Sequence, residues 1–192
     1  MDNRDYARFF QSMDLFNALE PIGSIFENSF RQKSPLGGLA SKLKRNKKLV
    51  EFICFCLNPN HYHFILKQIS NRGIEKFMHR LATGYTGYFN KKEKRTGVLF
   101  QGPFKSVHIE TNEQLLHASV YVNLNNKVHR LGGEASKSLS SWDEYTGKSQ
   151  YNFCNKKDVL GQFRNKTDYK KYAERTLGSI LERKEILREL EE

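Results

Sequence analysis

No apolar run in the chain approaches the roughly 18 residues needed to span a bilayer, which argues against a membrane-embedded protein. The opening residues, MDNRDYARFF, show no signal-peptide pattern. Cysteine is scarce and odd in number: Cys54, Cys56 and Cys154. Without a secretory signal they read as reduced thiols, which places the protein in the cytoplasm. Acidic residues are also short, with 21 Asp and Glu against 32 Lys and Arg, a formal net charge of +11. That balance favours polyanionic partners, nucleic acid before an anionic membrane surface. No internal repeat is visible.

What is present describes a folded protein. At 192 residues, 38% hydrophobic and 12% aromatic, the chain can bury a real core. Its length suits one domain with an appendage. Residues 3–19 read as a helix through Tyr6, Phe9, Phe10, Met13 and Phe16, stopped by Pro21. Residues 21–40 read as a loop with Gly23, Pro35, Gly37 and Gly38. VEFICFCL (50–57) and HYHFILKQI (61–69) read as two strands joined by an Asn-Pro-Asn turn. Residues 72–90 form a second helix on an Ile74, Phe77, Met78, Leu81, Tyr85 stripe, with Gly84 and Gly87 each weakening it by roughly 1 kcal/mol. A short strand is expected from about 105 to 109. A third helix opens at Thr111, where Gln114 completes a capping-box pattern, and runs to about Asn126. Beyond Gly132-Gly133 the chain turns polar and Ser-rich, reading as a linker anchored by Trp142. Two short helices are expected at 156–164 and 167–192.

The chemistry sits at CLNPNHYH. In a strand, residues i and i+2 share a face, so His61 and His63 point at one ion. The pair alone is weak evidence, since polar hairpins carry neighbouring histidines without metal. Cys54-x-Cys56 upstream offers a Cys2His2 zinc variant. A three-residue loop would put those cysteines on the opposite face, and a four-residue loop would reverse that. On LHASVYVNLNNKV, His117, Tyr121 and Asn125 are spaced by four and stack along one stripe, with Leu116, Val120 and Leu124 on the other side. From the helix alone, a half-buried surface tyrosine is the plainer reading. Together the parts make more sense. Two imidazoles and an amide oxygen leave open positions on a divalent ion that can polarise a phosphodiester. A tyrosine hydroxyl beside that phosphate can attack it and keep the bond energy for rejoining.

These residues resemble the single-tyrosine HUH transposases, in particular the REP-associated tyrosine transposases. The segments that carry the resemblance are CLNPNHYHFIL, FMHRLATGYTGYFNKK, GVLFQGPFKS and YVNLNNKV, between about residue 2 and residue 133. The resemblance implies an α+β fold: a ferredoxin-like antiparallel sheet with helices on one face. It implies a transposase domain over 1–133, followed by a linker and C-terminal helical extension over 134–192. It makes His61, His63 and Asn125 metal ligands and Tyr121 the nucleophile. It implies Mg²⁺ or Mn²⁺, an imidazole-amide set suiting Mn²⁺ at least as well. The substrate would be single-stranded DNA beside a hairpin, and the product a 5′-phosphotyrosine with a free 3′-OH. The protein would be a monomer or homodimer, cytoplasmic and associated with the nucleoid, with no membrane partner.

The chain departs from that pattern in three places. Relatives begin with a strand ending in an Asn-Arg-Gly-like turn, which is not visible before the helix near Asn3. In a ferredoxin-like sheet this strand is central, so its absence would leave neighbouring strands partly unpaired; either the start is misassigned, the gene copy is truncated, or another segment substitutes. Arg is common where Pro103 stands, and Pro where Asn126 stands.

Phosphate contacts are expected from Lys42, Lys44, Arg45, Lys47 and Lys48, and from Lys91, Lys92, Lys94, Arg95 and Lys105. Solvated loop lysines are the plain alternative. Tyr85, Tyr88 and Phe89 can stack bases, but their helical spacing favours core packing. Two other readings compete with a strand transferase. One is a transposase relic that binds structured single strands without cutting them. The other is a replication or plasmid-transfer nuclease, which the FQGPFK and YVxLN segments fit poorly.

Overall fold

The structure is a computed structural model that describes residues 2–23, 25, 47–129, 138–149 and 152–191, with side chains as far as Ile186. The fold is α+β, with a three-stranded open antiparallel sheet. The chain divides into two compact units, residues 1–51 with 67–106, and residues 52–66 with 107–192. Among the described residues no helix is long and apolar enough to cross a membrane.

The first unit is built on two helices, α1 (Asn3–Leu15) and α2 (Gly73–Lys92). Asp2 and Asp5 cap α1 reciprocally: the Asp5 N–H donates to Asp2 at 2.9 Å, and the Asp2 N–H donates to Asp5 at 2.8 Å. Tyr6, Phe9 and Met13 form its buried stripe, and the Phe9 ring meets Tyr85 of α2 edge-on at 4.7 Å. α1 ends at Leu15 rather than continuing to residue 19 because Asn17 has another task. Its Oδ1 accepts from the N–H groups of Leu49 (3.1 Å) and Val50 (2.9 Å), and its Nδ2 donates to the Val50 carbonyl at 2.9 Å. One amide thus satisfies the start of the first strand, as a neighbouring strand would. Gly84, which weakens α2 on propensity, is where the Phe16 ring lies flush: a Cβ there would come within 2.3 Å of it.

The strands are β1 (Val50–Leu57), β2 (Tyr62–Gln68) and β3 (Leu139–Ser140), in the order β2-β1-β3. The Asn58 N–H donates to the His61 carbonyl at 2.8 Å, so Pro59 and Asn60 are the turn between β1 and β2. On the other side of β1, Cys56 pairs with Ser140 and Leu57 with Leu139. Further along, the N–H of Ser141 donates to the Phe55 carbonyl (3.0 Å), and that of Asn155 donates to the Phe52 carbonyl (2.8 Å). The edge of β1 away from β2 is therefore occupied by residues from the later part of the chain. The expected strand at 105–109 does not form. Val107 is 92% exposed, and no ladder partner lies beside it among the described residues.

The remaining helices of the second unit are α3 (Asn112–Asn123), α4 (Asn125–Val128), α5 (Trp142–Thr146), α6 (Lys157–Leu160) and α7 (Lys166–Glu191). α3 opens on the expected capping box: Gln114 N–H donates to Thr111 Oγ1 at 3.1 Å, and Thr111 N–H to Gln114 Oε1 at 3.2 Å. The stretch read as a linker supplies core. Tyr145 is fully buried, donates to the Ile53 carbonyl at 2.9 Å and receives the Cys54 thiol at 3.2 Å. Tyr169 of α7 is also fully buried and accepts from Asn123 Nδ2 at 3.0 Å. Of the two helices expected near the end, that at 167–192 forms as α7, and that at 156–164 shortens to the four residues of α6.

Candidate active site

The site is assembled within the second unit by three pieces of chain: the β1–β2 turn, the end of α3, and α4. His61 closes the β1–β2 turn and His63 is the second residue of β2, and their rings meet edge-on at 5.3 Å between centroids. Tyr121, on the last turn of α3, is half-buried and sets its ring 5.5 Å from His63. The helix does not run through to Asn126. It breaks at Leu124, and Asn125 begins α4 fully buried. Asn123 holds the end of α3, bonded through its side chain to Tyr169 and accepting from Ser141 Oγ. Four of the residues singled out in the sequence, His61, His63, Tyr121 and Asn125, thus come together. His117, one turn earlier on the stripe, is exposed and lies outside the cluster of imidazoles.

Both ring nitrogens of His61 have partners. Its Nδ1 lies 2.7 Å from Asn60 Oδ1, and the tautomer that donates there leaves Nε2 to offer its lone pair. That Nε2 receives a hydrogen bond from Asn58 Nδ2 at 2.8 Å and lies 3.0 Å from Asn125 Oδ1. Asn58 Nδ2 also donates to Asn125 Oδ1 at 2.7 Å. One amide nitrogen therefore holds the lone pairs that a cation between His61 and Asn125 would use. Asn58 is itself buried and tied down, accepting from Ser138 Oγ at 2.9 Å. Asn125 Nδ2 is buried without a hydrogen-bond partner. Such an orphan costs roughly 1–3 kcal/mol and marks a place where something other than fold stability sets the residue.

A residue outside the sequence expectations completes the cluster. His129 caps α4, with its ring 5.1 Å from that of His61 and its Nε2 3.4 Å from the Tyr121 hydroxyl. One ring nitrogen from each of His61, His63 and His129 lies within 4.8 Å of the other two. The stripe itself held the signal, since His129 is four residues after Asn125 and eight after Tyr121. Burial, then the nearby His61 and His129, push His63 down to about 4. Burial, followed by Lys184 and His61, also lowers His129. Imidazoles kept neutral present lone pairs, as a metal site requires.

The cysteines take no part, though not for the reason strand geometry offered. The turn leaves Cys54 and Cys56 in one buried cluster with Ile65, Val120 and Val122, on the side of the sheet that α3 covers. Desolvation pushes both thiols up to about 12, so they stay protonated core groups.

The described basic candidates all belong to the first unit. Lys47, Lys48, Lys94 and Lys105 are exposed. Arg95 donates to the Val98 carbonyl at 2.9 Å, and Lys91 lines a cavity of about 830 Å³ together with Arg8, Arg80, Tyr88 and Lys92. Lys92 is bound to Asp2 (2.9 Å), Asp5 (2.8 Å) and Glu93 (3.2 Å), which leaves it little charge for a phosphate. Lys42, Lys44 and Arg45 lie outside the described residues. Tyr85 is buried, as core packing requires.

His61, His63, Tyr121 and Asn125 thus share one corner of the second unit. The family described as "Transposase IS200 like" matches residues 26–125, a stretch that contains all four of those residues. The chain belongs to this IS200-like transposase family, and so to proteins that bind and recombine DNA. No curated protein and no solved structure matches it.

Proposed function

We propose that the chain cleaves and rejoins single-stranded DNA beside hairpins, as a REP-associated tyrosine transposase does, with Tyr121 as the nucleophile. The observation that carries this reading is the Tyr121 hydroxyl standing at the rim of an imidazole cluster, with His129 Nε2 at 3.4 Å and the His63 ring against its own. In the cleavage step the Tyr121 oxygen attacks the scissile phosphorus. The bond to the 3′ oxygen breaks, that oxygen leaves as a 3′-OH, and the 5′ phosphate stays on the tyrosine. Rejoining reverses the step with another 3′-OH as the attacking group.

The donor set fits a divalent ion, Mn²⁺ at least as well as Mg²⁺, held by His61, His63 and Asn125. Such an ion would polarise the phosphate and offset its developing charge. The residues themselves do the rest. Asn60 holds His61 at Nδ1, the break at Leu124 turns Asn125 inward, and α3 holds Tyr121 at the edge of the cluster. The exposed lysines of the first unit supply salt-dependent affinity for the backbone.

The test is a denaturing gel of the protein mixed with labelled hairpin-bearing single-stranded DNA and Mn²⁺. A covalent band lost in Tyr121→Phe and in His63→Ala is expected. A folded wild-type protein that binds this DNA without forming the band would instead be a binding relic.

A further inference from the structure

The family match stops at residue 125, and His129 lies beyond it. The geometry nevertheless points to a role, and we infer that His129 is the third imidazole ligand of the metal site. The ion is then held mainly by His61, His63 and His129, and the site takes borderline ions such as Mn²⁺ or Co²⁺ over Mg²⁺. This rests on the reading of the cluster as a metal centre given above.

Three observations support it. The first is distance. Two nitrogens bound to one ion at about 2.0–2.1 Å each stand roughly 3–4 Å apart. The three rings already bring their nitrogens within 4.8 Å. Closing the rest needs only side-chain rotation, and His129 is an exposed residue at the end of a four-residue helix.

The second is what each donor gives up. Asn125 Oδ1 is held short, accepting from Asn58 Nδ2 at 2.7 Å, with His61 Nε2 at 3.0 Å. The contacts of His129 are long: its Nε2 to the Tyr121 hydroxyl at 3.4 Å and its Nδ1 to Lys184 Nζ at 3.5 Å. Lys184 Nζ also has the Val128 carbonyl to donate to, at 3.4 Å. An incoming ion therefore displaces less at His129 than at Asn125. The third is donor chemistry. Among the described residues, the groups of metal-binding side chains contain only these three histidines, with no carboxylate. Three imidazoles suit first-row transition ions, whereas Mg²⁺ prefers oxygen donors and holds its waters.

The experiment strips the full-length protein with a chelator and titrates it with Mn²⁺, and separately with Mg²⁺, by calorimetry. Wild type is compared with His129→Ala, His129→Gln, Asn125→Ala and His63→Ala. Pulsed electron paramagnetic resonance of the bound Mn²⁺ counts coordinated nitrogens, and thermal melts confirm folding. Both His129 variants should lose at least about tenfold in Mn²⁺ affinity and one nitrogen coupling. Asn125→Ala should lose less, and Mg²⁺ should bind the wild type more weakly than Mn²⁺. Mn²⁺ binding within twofold of wild type in both His129 variants, with His63→Ala impaired, would overturn the role of His129 alone. Unchanged binding in His63→Ala as well would overturn the metal centre itself, while the Tyr121 adduct assay would still stand as a separate test of the nucleophile.

Discussion

The two units spend their charged and aromatic side chains differently. In the first, Lys92 is held by Asp2, Asp5 and Glu93, and Arg80 donates to the carbonyls of Ala18 and Leu19, although Arg8 Nε and Asn90 Oδ1 are buried without a hydrogen-bond partner. In the second, an orphaned Asn125 amide, a 3.4 Å tyrosine contact and three facing imidazoles crowd one corner. Satisfied groups report on stability, and unsatisfied ones mark where a ligand is expected. The contrast also runs inside the second unit, between the spent hydroxyl of Tyr145 and the nearly unspent one of Tyr121.

That contrast gives the largest predicted effects. Tyr121→Phe should lower adduct formation by at least about a thousandfold. It should leave unfolding stability within about 0.5 kcal/mol, because the hydroxyl makes only one long contact. Tyr145→Ala should do the reverse to the fold, costing about 3–5 kcal/mol in denaturant melts by emptying a fully buried site. Tyr145→Phe, which removes the bond to the Ile53 carbonyl and the acceptor of the Cys54 thiol, should cost about 1–2 kcal/mol. A Tyr145→Ala protein that melts like wild type would mean that the α5 segment is not part of the core. A destabilised Tyr121→Phe would mean that Tyr121 belongs with the structural tyrosines.

The lysines of the first unit sharpen the comparison at smaller amplitude. Lys105→Ala removes an exposed charge, and should lower the salt dependence of DNA binding by about one unit of slope with the melting temperature unchanged. Lys92→Met should lower the melting temperature, because it strips a partner from Asp5, which is 2% exposed, and leave the salt slope as it was. Anisotropy titrations at several salt concentrations, paired with melts, separate the two. A reduced slope in Lys92→Met would show that this lysine leaves its carboxylates for phosphate.

Much of the site was readable because its signals are local. The His61 and His63 alternation, the four-residue step from Tyr121 to Asn125, and the Thr111 capping box each span only a few residues. What escaped depends on distant chain. β3 is two residues in a Ser-rich stretch, and nothing in its composition announces that Leu139 and Ser140 close the edge of β1. Trp142 drew notice as the anchor of that stretch, yet Tyr145 is the residue driven fully into the core. The side taken by the cysteines turned on the length of one loop, which Asn58 and His61 decide by pairing across Pro59-Asn60. Lys184 reaches His129 only because α7 continues for twenty-six residues, and no sequence pattern links the two.

The smallest expected effect is on pH. In the folded, metal-free protein His63 is held down to about 4, against an ordinary value of 6.5, first by burial and then by His61 and His129. Between those values the unfolded chain takes up a proton at this residue that the folded chain refuses. The stabilisation is therefore complete above pH 6.5 and is lost progressively as pH falls toward 4. His129 is shifted the same way and adds to the slope. Chelator-treated wild type should lose melting temperature between pH 7 and pH 5, and His63→Gln should lose less over the same range. The shift of Asp2, held near 2, acts below this window. Equal losses in the two proteins would mean that His63 is protonated as readily in the fold as outside it. The site would then bind metal only against a standing positive charge.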